Sequence, residues 1–319
     1  MPEREVPVEP SESHQRLSAR DFHPDVLRWF DEYVHGQIDR RRFLERAATI
    51  AVTGASALAL LEALSPNFAL AQTGPNDPRL KIETLEFPSA EGYGKLRGYL
   101  ARPSRMSEKL PALLVVHENR GLNPHIEDIA RRLALEDFIV FAPDALSPLG
   151  GYPGNEDKAR ELFAQLDQTK TRQDFLAAAE FTKHLASSNR KLGAVGFCWG
   201  GGMVHYLATE RADLDAAVVY YGLAPAPEAA RHVKAELLVH LAEHDDRINA
   251  SFPPYETALK AAHVKFEVYR YPGTEHGFNN DTTPRYDVAS AELAWKRTLA
   301  LFNRKLRQHA PAAMHPHHG

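Results

Sequence analysis

The chain has 319 residues, 44% of them hydrophobic and 25% charged, and a formal net charge of −4. That is enough apolar chain for a large core, and the scattered basic residues lack the aromatic interleaving of a nucleic-acid surface, so no nucleic-acid partner is expected. The single cysteine, Cys198, excludes an internal disulfide, a CxxC redox pair and a cysteine-rich zinc site, leaving an inert thiol or a nucleophile.

In chain order, His23-Pro24 opens a stretch in which Val26, Leu27, Phe30, Tyr33 and Val34 fall on one helical face, and Gly36 stands where that helix would end. Asp39 is placed to cap a second helix. The same region reads in another way. Asp39-Arg40-Arg41-Arg42-Phe43-Leu44 precedes an uncharged run from Ala47 to Leu61, and Ala69-Leu70-Ala71 then has the small residues a signal peptidase accepts. This resembles a twin-arginine export signal, which implies a periplasmic or exported protein with the twin-arginine machinery as partner. The run is roughly 15 residues, short of the ~20 a membrane-spanning helix needs, so no stable span is expected. On the other reading the two helices form a hairpin that packs on the following domain, is never removed, and leaves the protein cytoplasmic. Glu45 and Glu62 count somewhat against a signal. Gln72 to Pro78 has linker composition. The organisation expected is thus an N-terminal extension over 1–79, one domain over 80–306, and a His-rich, disordered tail over 307–319.

From Leu80 onward, short β-rich runs alternate with amphipathic helical stretches, the signature of a mostly parallel sheet covered by helices on both faces. Lys81 to Phe87 and Lys95 to Ala101 alternate as an opening hairpin, with Glu91-Gly92-Tyr93-Gly94 as its turn. Leu113 to His117, Phe138 to Ala142, Leu192 to Phe197, Ala216 to Tyr221, Leu237 to Leu241 and Val264 to Tyr269 are nearly continuous apolar runs, as strands buried on both faces must be. Helices are predicted near 125–136, 170–187, 199–211, 254–263 and 286–306.

In such sheets the reacting groups gather at the carboxyl ends of the strands. Gly196-Phe197-Cys198-Trp199-Gly200-Gly201 is a G-x-C-x-G turn between a strand and a helix, with cysteine where a nucleophile elbow usually has serine. The helix dipole there favours thiolate, and the backbone N–H of Trp199 can face a developing oxyanion. Asp245-Asp246 and then His276 follow in the order nucleophile, acid, histidine of the α/β-hydrolases, with Asp245 preferred over Asp246 as the acid. His117-Glu118-Asn119-Arg120-Gly121 occupies the place of the second oxyanion donor, which would be the Asn119 N–H. Glu118 would lie near Cys198, able to accept its proton or hold the thiol until substrate displaces it.

Together the H-E-x-x-G loop, the G-F-C-W-G-G elbow, the D-x-x-I loop and the H-G-F segment resemble the dienelactone hydrolase family across nearly all of residues 80–306. The resemblance implies an α/β-hydrolase fold with a central sheet of about eight strands and a Cys198–His276–Asp245 triad. It also implies attack on a small-molecule ester or lactone, a thioester acyl-enzyme, and no metal or cofactor. Glu118 would inherit the family's nucleophile-switching carboxylate. The chain departs from the pattern after His276, where Asn279 and Asn280 stand in place of a carboxylate-binding arginine, and at Leu146-Ser147-Pro148. Arg120, Arg285 and Phe278 are candidate substrate contacts. The rivals are a zinc hydrolase using His240, Glu243 and His244, which spell H-x-x-E-H, and a non-catalytic hydrolase-like scaffold.

Overall fold

The computed structural model describes residues 16–51 and 56–307. The His-rich tail from 308 onward and residues 52–55 of the uncharged run lie outside the described residues.

Eight strands form one sheet in the order β1-β2-β4-β3-β5-β6-β7-β8. They are β1 (Leu80–Ser89), β2 (Gly94–Pro103), β3 (Leu110–Val116), β4 (Ile139–Pro143), β5 (Ser188–Phe197), β6 (Ala216–Tyr220), β7 (Glu236–His244) and β8 (Phe266–Glu275). The hairpin β1–β2 is antiparallel, β2 joins β4 antiparallel, and every pairing from β4 through β8 is parallel. All residues of β3, β4 and β6 are buried, because helices cover both faces and leave no polar side of the sheet.

One face is covered by α4 (Pro124–Ala134) and α9 (Val288–Leu306), whose Ile126, Ile129, Leu301 and Phe302 pack on Leu113, Val115 and Val218. The other is covered by α5 (Glu156–Phe163), α6 (Gln168–Lys183), α7 (Trp199–Glu210) and α8 (Asp246–Ala261). The helix starts are locally encoded. Asn123, Asn155, Asp167 and Asp287 each accept backbone N–H bonds as caps of α4, α5, α6 and α9.

Three elements of the sheet-bearing domain differ from expectation. β8 is not buried on both faces: it is the edge strand beside β7, and only Tyr271 and Thr274 in it are buried. α8 begins at Asp246 rather than near 254, with Pro253 and Pro254 inside it. Both prolines are exposed, so the carbonyls they leave without a helical donor can be hydrated, while Phe252 and Tyr255 anchor the helix in the core. α5 was not predicted: two turns bearing Glu156, Asp157, Lys158, Arg160 and Glu161 carry little periodicity, and only Ala159 and Phe163 are buried.

The N-terminal extension has its own small core. α1 (Pro24–Val34), α2 (Arg40–Ala48) and α3 (Ala57–Leu64) bury Val26, Leu27, Phe30, Phe43 and Leu64 against one another. Full burial of aromatic and aliphatic side chains stabilises by about 1.5–3 kcal/mol each, enough to order short helices that are marginal alone. His23, Gly36 and Asp39 mark the boundaries predicted for them. The extension rests on the rest of the chain: Asn67 N–H donates to the Thr282 carbonyl at 2.7 Å, Thr73 N–H to Asp128 at 2.7 Å, and the Arg160 guanidinium to the Tyr33 carbonyl at 2.9 Å. Among the described residues no helix is long and apolar enough to cross a membrane.

Candidate active site

Cys198 closes β5 and caps α7 with φ 57° and ψ −118°, a conformation that a side-chain-bearing residue adopts only when the surroundings enforce it. The turn is enforced by close packing. A Cβ on Gly200 would lie 2.3 Å from the Val116 carbonyl oxygen, so only glycine lets α7 sit this close to β3. Cys198 N–H donates to the Tyr220 carbonyl at 3.0 Å. The N–H of Trp199, first in α7, has no acceptor within the helix. Its indole stacks on His117 with centroids 5.6 Å apart, and His117 Nε2 in turn accepts the Ala145 N–H at 3.1 Å.

His276 follows β8, and its Nδ1 lies 2.6 Å from Asp245 Oδ2, both side chains being buried. Asp245 stands at the cap position of α8 but makes no capping bond, its carboxylate being turned to the histidine; Asp246 is exposed. Burial alone would lower His276, but the Asp245 carboxylate and the Cys198 sulfur hold it well above the ordinary imidazole range. Its Nε2 is buried without a hydrogen-bond partner and faces the sulfur from within 4.8 Å.

The structure adds a residue that no sequence motif marks. His35, directly after α1, places Nε2 3.2 Å from Cys198 Sγ, and its ring is only 10% exposed. His35 Nδ1 donates to the Asp31 backbone carbonyl at 2.8 Å and lies 3.2 Å from the Asp31 carboxylate. Arg285 stands 3.6 Å from that carboxylate. Burial would push the Cys198 thiol up, but the imidazoles of His35 and His276 outweigh it and bring the thiol down to about 5.

Glu118 is buried and pairs with Arg120 at 3.5 Å, and Arg120 continues to Glu156 at 3.1 Å. Among the described residues the side chain hydrogen-bonded to Cys198 is His35, not Glu118. Against its own burial, the Arg120 charge keeps Glu118 below the usual carboxylate range. Asn119 reaches the other way, its amide donating to the Val34 carbonyl at 2.8 Å. Arg285 packs over the Phe30 ring at 5.1 Å beside Asp31, so both candidate cations already have acidic partners. Phe278 is wholly buried among Tyr220, Tyr221 and Tyr271 and lines neither hollow at Cys198 or His276.

A cavity of about 780 Å³ opens at Cys198, bounded by His35, Asn119, Phe163, Trp199 and Leu223, a volume suited to a small molecule. A second hollow, about 720 Å³, lies across α1 and is lined by Asp31, Asp245, His276 and Arg285.

His240 corrects the zinc alternative. It lies within β7 rather than on a helix, with Nδ1 2.8 Å from the Tyr271 hydroxyl and Nε2 3.1 Å from Thr298 Oγ1, while His244 is exposed at the strand end. Neither ring nitrogen of His240 is free for a metal. The donor set of His35, Cys198 and His276, with ligand atoms within 4.8 Å of one another, could hold a soft cation, which would occupy the Cys198 sulfur.

The dienelactone hydrolase family profile matches residues 96–306, and a second family described as YqhI-like matches residues 14–52. An Escherichia coli K12 protein named "putative carboxymethylenebutenolidase" is 34% identical over 232 residues, covering 68% of this chain and 85% of its own. A Saccharolobus solfataricus protein of the same name is 32% identical, covering 70% and 99%. The E. coli "putative hydrolase fragment YghX" is 56% identical over 115 residues, 36% of this chain and 98% of its own. Among solved structures, a protein titled "putative dienelactone hydrolase" from Klebsiella pneumoniae superposes with TM-score 0.61 at 29% identity, covering 70% of this chain and 99% of that one. The family profile spans the sheet from β2 to the end of α9, and with it Cys198, Asp245 and His276. The chain belongs to the dienelactone hydrolase family.

Proposed function

We propose that this protein hydrolyses small esters or lactones through a thioester on Cys198. The observation that carries the reading is the convergence on one sulfur of a helix N-terminus and the buried His276–Asp245 pair at 2.6 Å. Asp245 fixes the His276 tautomer and supports its charge, and His276 keeps the sulfur ionised. The thiolate adds to the carbonyl carbon, the carbonyl oxygen becomes an oxyanion, and the backbone N–H groups of Trp199 and Asn119 supply its hydrogen bonds. Collapse expels the alkoxide, which leaves as an alcohol after taking a proton from an imidazole. Water then attacks the thioester and gives its proton back to the imidazole, restoring the thiolate and releasing the acid.

The substrates best suited are neutral at the acyl and leaving groups. Arg120 pairs with Glu118 and Glu156 and Arg285 lies 3.6 Å from Asp31, so a substrate carboxylate would compete with a resident carboxylate for either cation. The bonds of Val34, Tyr33 and Asn67 to the hydrolase domain favour retention of the extension in the working protein over removal after Ala71, and retention favours the cytoplasm.

The test is intact-protein mass spectrometry during turnover of a panel of small esters and lactones. A transient mass gain equal to the acyl group, present in the wild type and absent in Cys198→Ala, is expected. Turnover without acylation, or no turnover of any ester or lactone, overturns the reading.

A further inference from the structure

Two imidazoles converge on Cys198, and they do not face the same space. His276 looks into the hollow it shares with Asp31, Asp245 and Arg285, whereas His35 and Cys198 together face the 780 Å³ cavity that also holds Asn119 and Trp199. The ring of His35 meets His276 edge-on, with centroids 4.7 Å apart, so the N-terminal segment brings its histidine to the substrate side of the sulfur.

His35 is also held as a working imidazole is held. Its Nδ1 donates to the Asp31 backbone carbonyl, which points Nε2 at the sulfur, and the Asp31 carboxylate lies 3.2 Å from the same nitrogen with Arg285 3.6 Å beyond, adding charge rather than a hydrogen bond. Asp245 and His276 make a parallel arrangement on the other side, an acceptor on Nδ1 that leaves Nε2 facing the sulfur, there with a carboxylate as the acceptor and here with the Asp31 backbone carbonyl. The Asn119 amide and the Val34 carbonyl join the oxyanion loop to the residue just before His35. A cap that only covered the site would need none of this alignment.

We propose that His35 is a catalytic residue that delivers the proton to the leaving oxygen, with Asp31 positioning it. The proposal rests on the ester-hydrolase reading above and divides the proton work: His276 keeps its charge beside the sulfur, and His35 exchanges protons with the substrate. As the carbon–sulfur bond forms, the carbonyl electron pair moves to oxygen. When the tetrahedral adduct collapses, the carbon–oxygen bond breaks and the departing oxygen takes the Nε2 proton of imidazolium His35. Neutral His35 then accepts a proton from the water that attacks the thioester, the carbon–sulfur bond breaks with its electrons on sulfur, and the imidazolium is regenerated. One ester and one water become one acid and one alcohol. The extension that resembles an export signal is on this view part of the active site.

The experiment compares two esters of the same acid in the full chain, an ethyl ester whose alkoxide needs a proton to leave and a p-nitrophenyl ester whose phenolate does not. His35→Gln keeps the size and a hydrogen bond to Asp31 but cannot donate as an acid. It is expected to lose about 100-fold or more in kcat on the ethyl ester and less than about tenfold on the p-nitrophenyl ester, the size of effect a general acid supplies. Asp31→Asn is expected to show the same selectivity at smaller amplitude. An equal loss on both esters marks a structural role and overturns the proposal, as does unchanged or raised activity, which marks a cap. If the wild type is not acylated at Cys198 by the p-nitrophenyl ester, the ester-hydrolase reading fails and takes this proposal with it. Wild-type acylation with a His35→Gln variant lacking the selectivity sinks only the proposal.

Discussion

Asn119 Nδ2 donates a 2.8 Å hydrogen bond to the carbonyl of Val34, joining the loop after β3 to the last residue of α1. Through this bond the N-terminal extension holds the loop after β3, and one residue further on it sets His35 against Cys198. The surroundings of Cys198 therefore depend on both the N-terminal extension and the sheet-bearing domain.

The ionisation of Cys198 can be read directly, because it is the chain's only cysteine. A thiol brought down to about 5 is thiolate above that pH and protonated below it. Alkylation by iodoacetamide, followed by mass, is expected to run at a nearly constant rate from pH 8 to about pH 6 and to fall below about 5. A rate that climbs through about pH 8.5, as for an ordinary cysteine, would show that the imidazoles do not stabilise the thiolate.

Cys198→Ala is expected to abolish ester hydrolysis, by roughly 10⁴-fold or more, with an unchanged circular dichroism spectrum. The turn is built by Gly196, Gly200 and the Tyr220 carbonyl rather than by sulfur. Full activity in that variant ends the nucleophile assignment.

The adjacent aspartates separate cleanly. Asp245→Asn leaves the shape but removes the charge on His276 Nδ1, and a loss of kcat on the order of 10³- to 10⁴-fold is expected. Asp246, exposed at the first turn of α8, should tolerate Asn with less than about a twofold change. Steady-state kinetics on one activated ester compares the two, and comparable losses would show that the acid role is shared.

Substrate charge is tested with matched esters differing only in one acyl carboxylate. A desolvated charge pair is worth about 2–5 kcal/mol, roughly 30- to several-thousand-fold. With Arg120 and Arg285 engaged, the neutral ester is expected to match or exceed the charged one in kcat/KM. A hundredfold preference for the carboxylate, lost in an Arg120 or Arg285 variant, would show that one of these cations serves substrate instead.

The N-terminus is decided by fractionation and N-terminal sequencing. The active protein is expected to keep His35, and changing Arg40 and Arg41 to lysine to leave its location unchanged, since these side chains lie against Asp157 at 3.8 Å and Glu45 at 2.9 Å on the surface. An active mature form beginning after Ala71, with the lysine variant stranded in the cytoplasm, would restore the export reading and remove His35 from catalysis.

What the sequence determined by itself was whatever local patterning or motif spacing carries. The apolar runs of β3 to β7 are doubly buried strands, the glycines about Cys198 make the elbow, and the apolar face from Val26 to Val34 with Gly36 beyond it makes α1. Local rules failed where burial overrode them. The sequence places a helix near 254–263, yet Ile248 and Phe252 pack α8 against the core a full two turns earlier. Only the tertiary structure decided what meets at the sulfur. His35 lies in no motif, and nothing within Val34-His35-Gly36 indicates a partner in β5–α7; its position follows from α1 docking across the carboxyl ends of the strands. Likewise the sequence offers Arg120 and Arg285 as candidate substrate contacts without showing that folding sets Glu156 and Asp31 beside them. Sequence spacing encodes hydrogen bonds and faces within an element, whereas the charge that a buried group meets depends on which distant side chains share its low-dielectric surroundings.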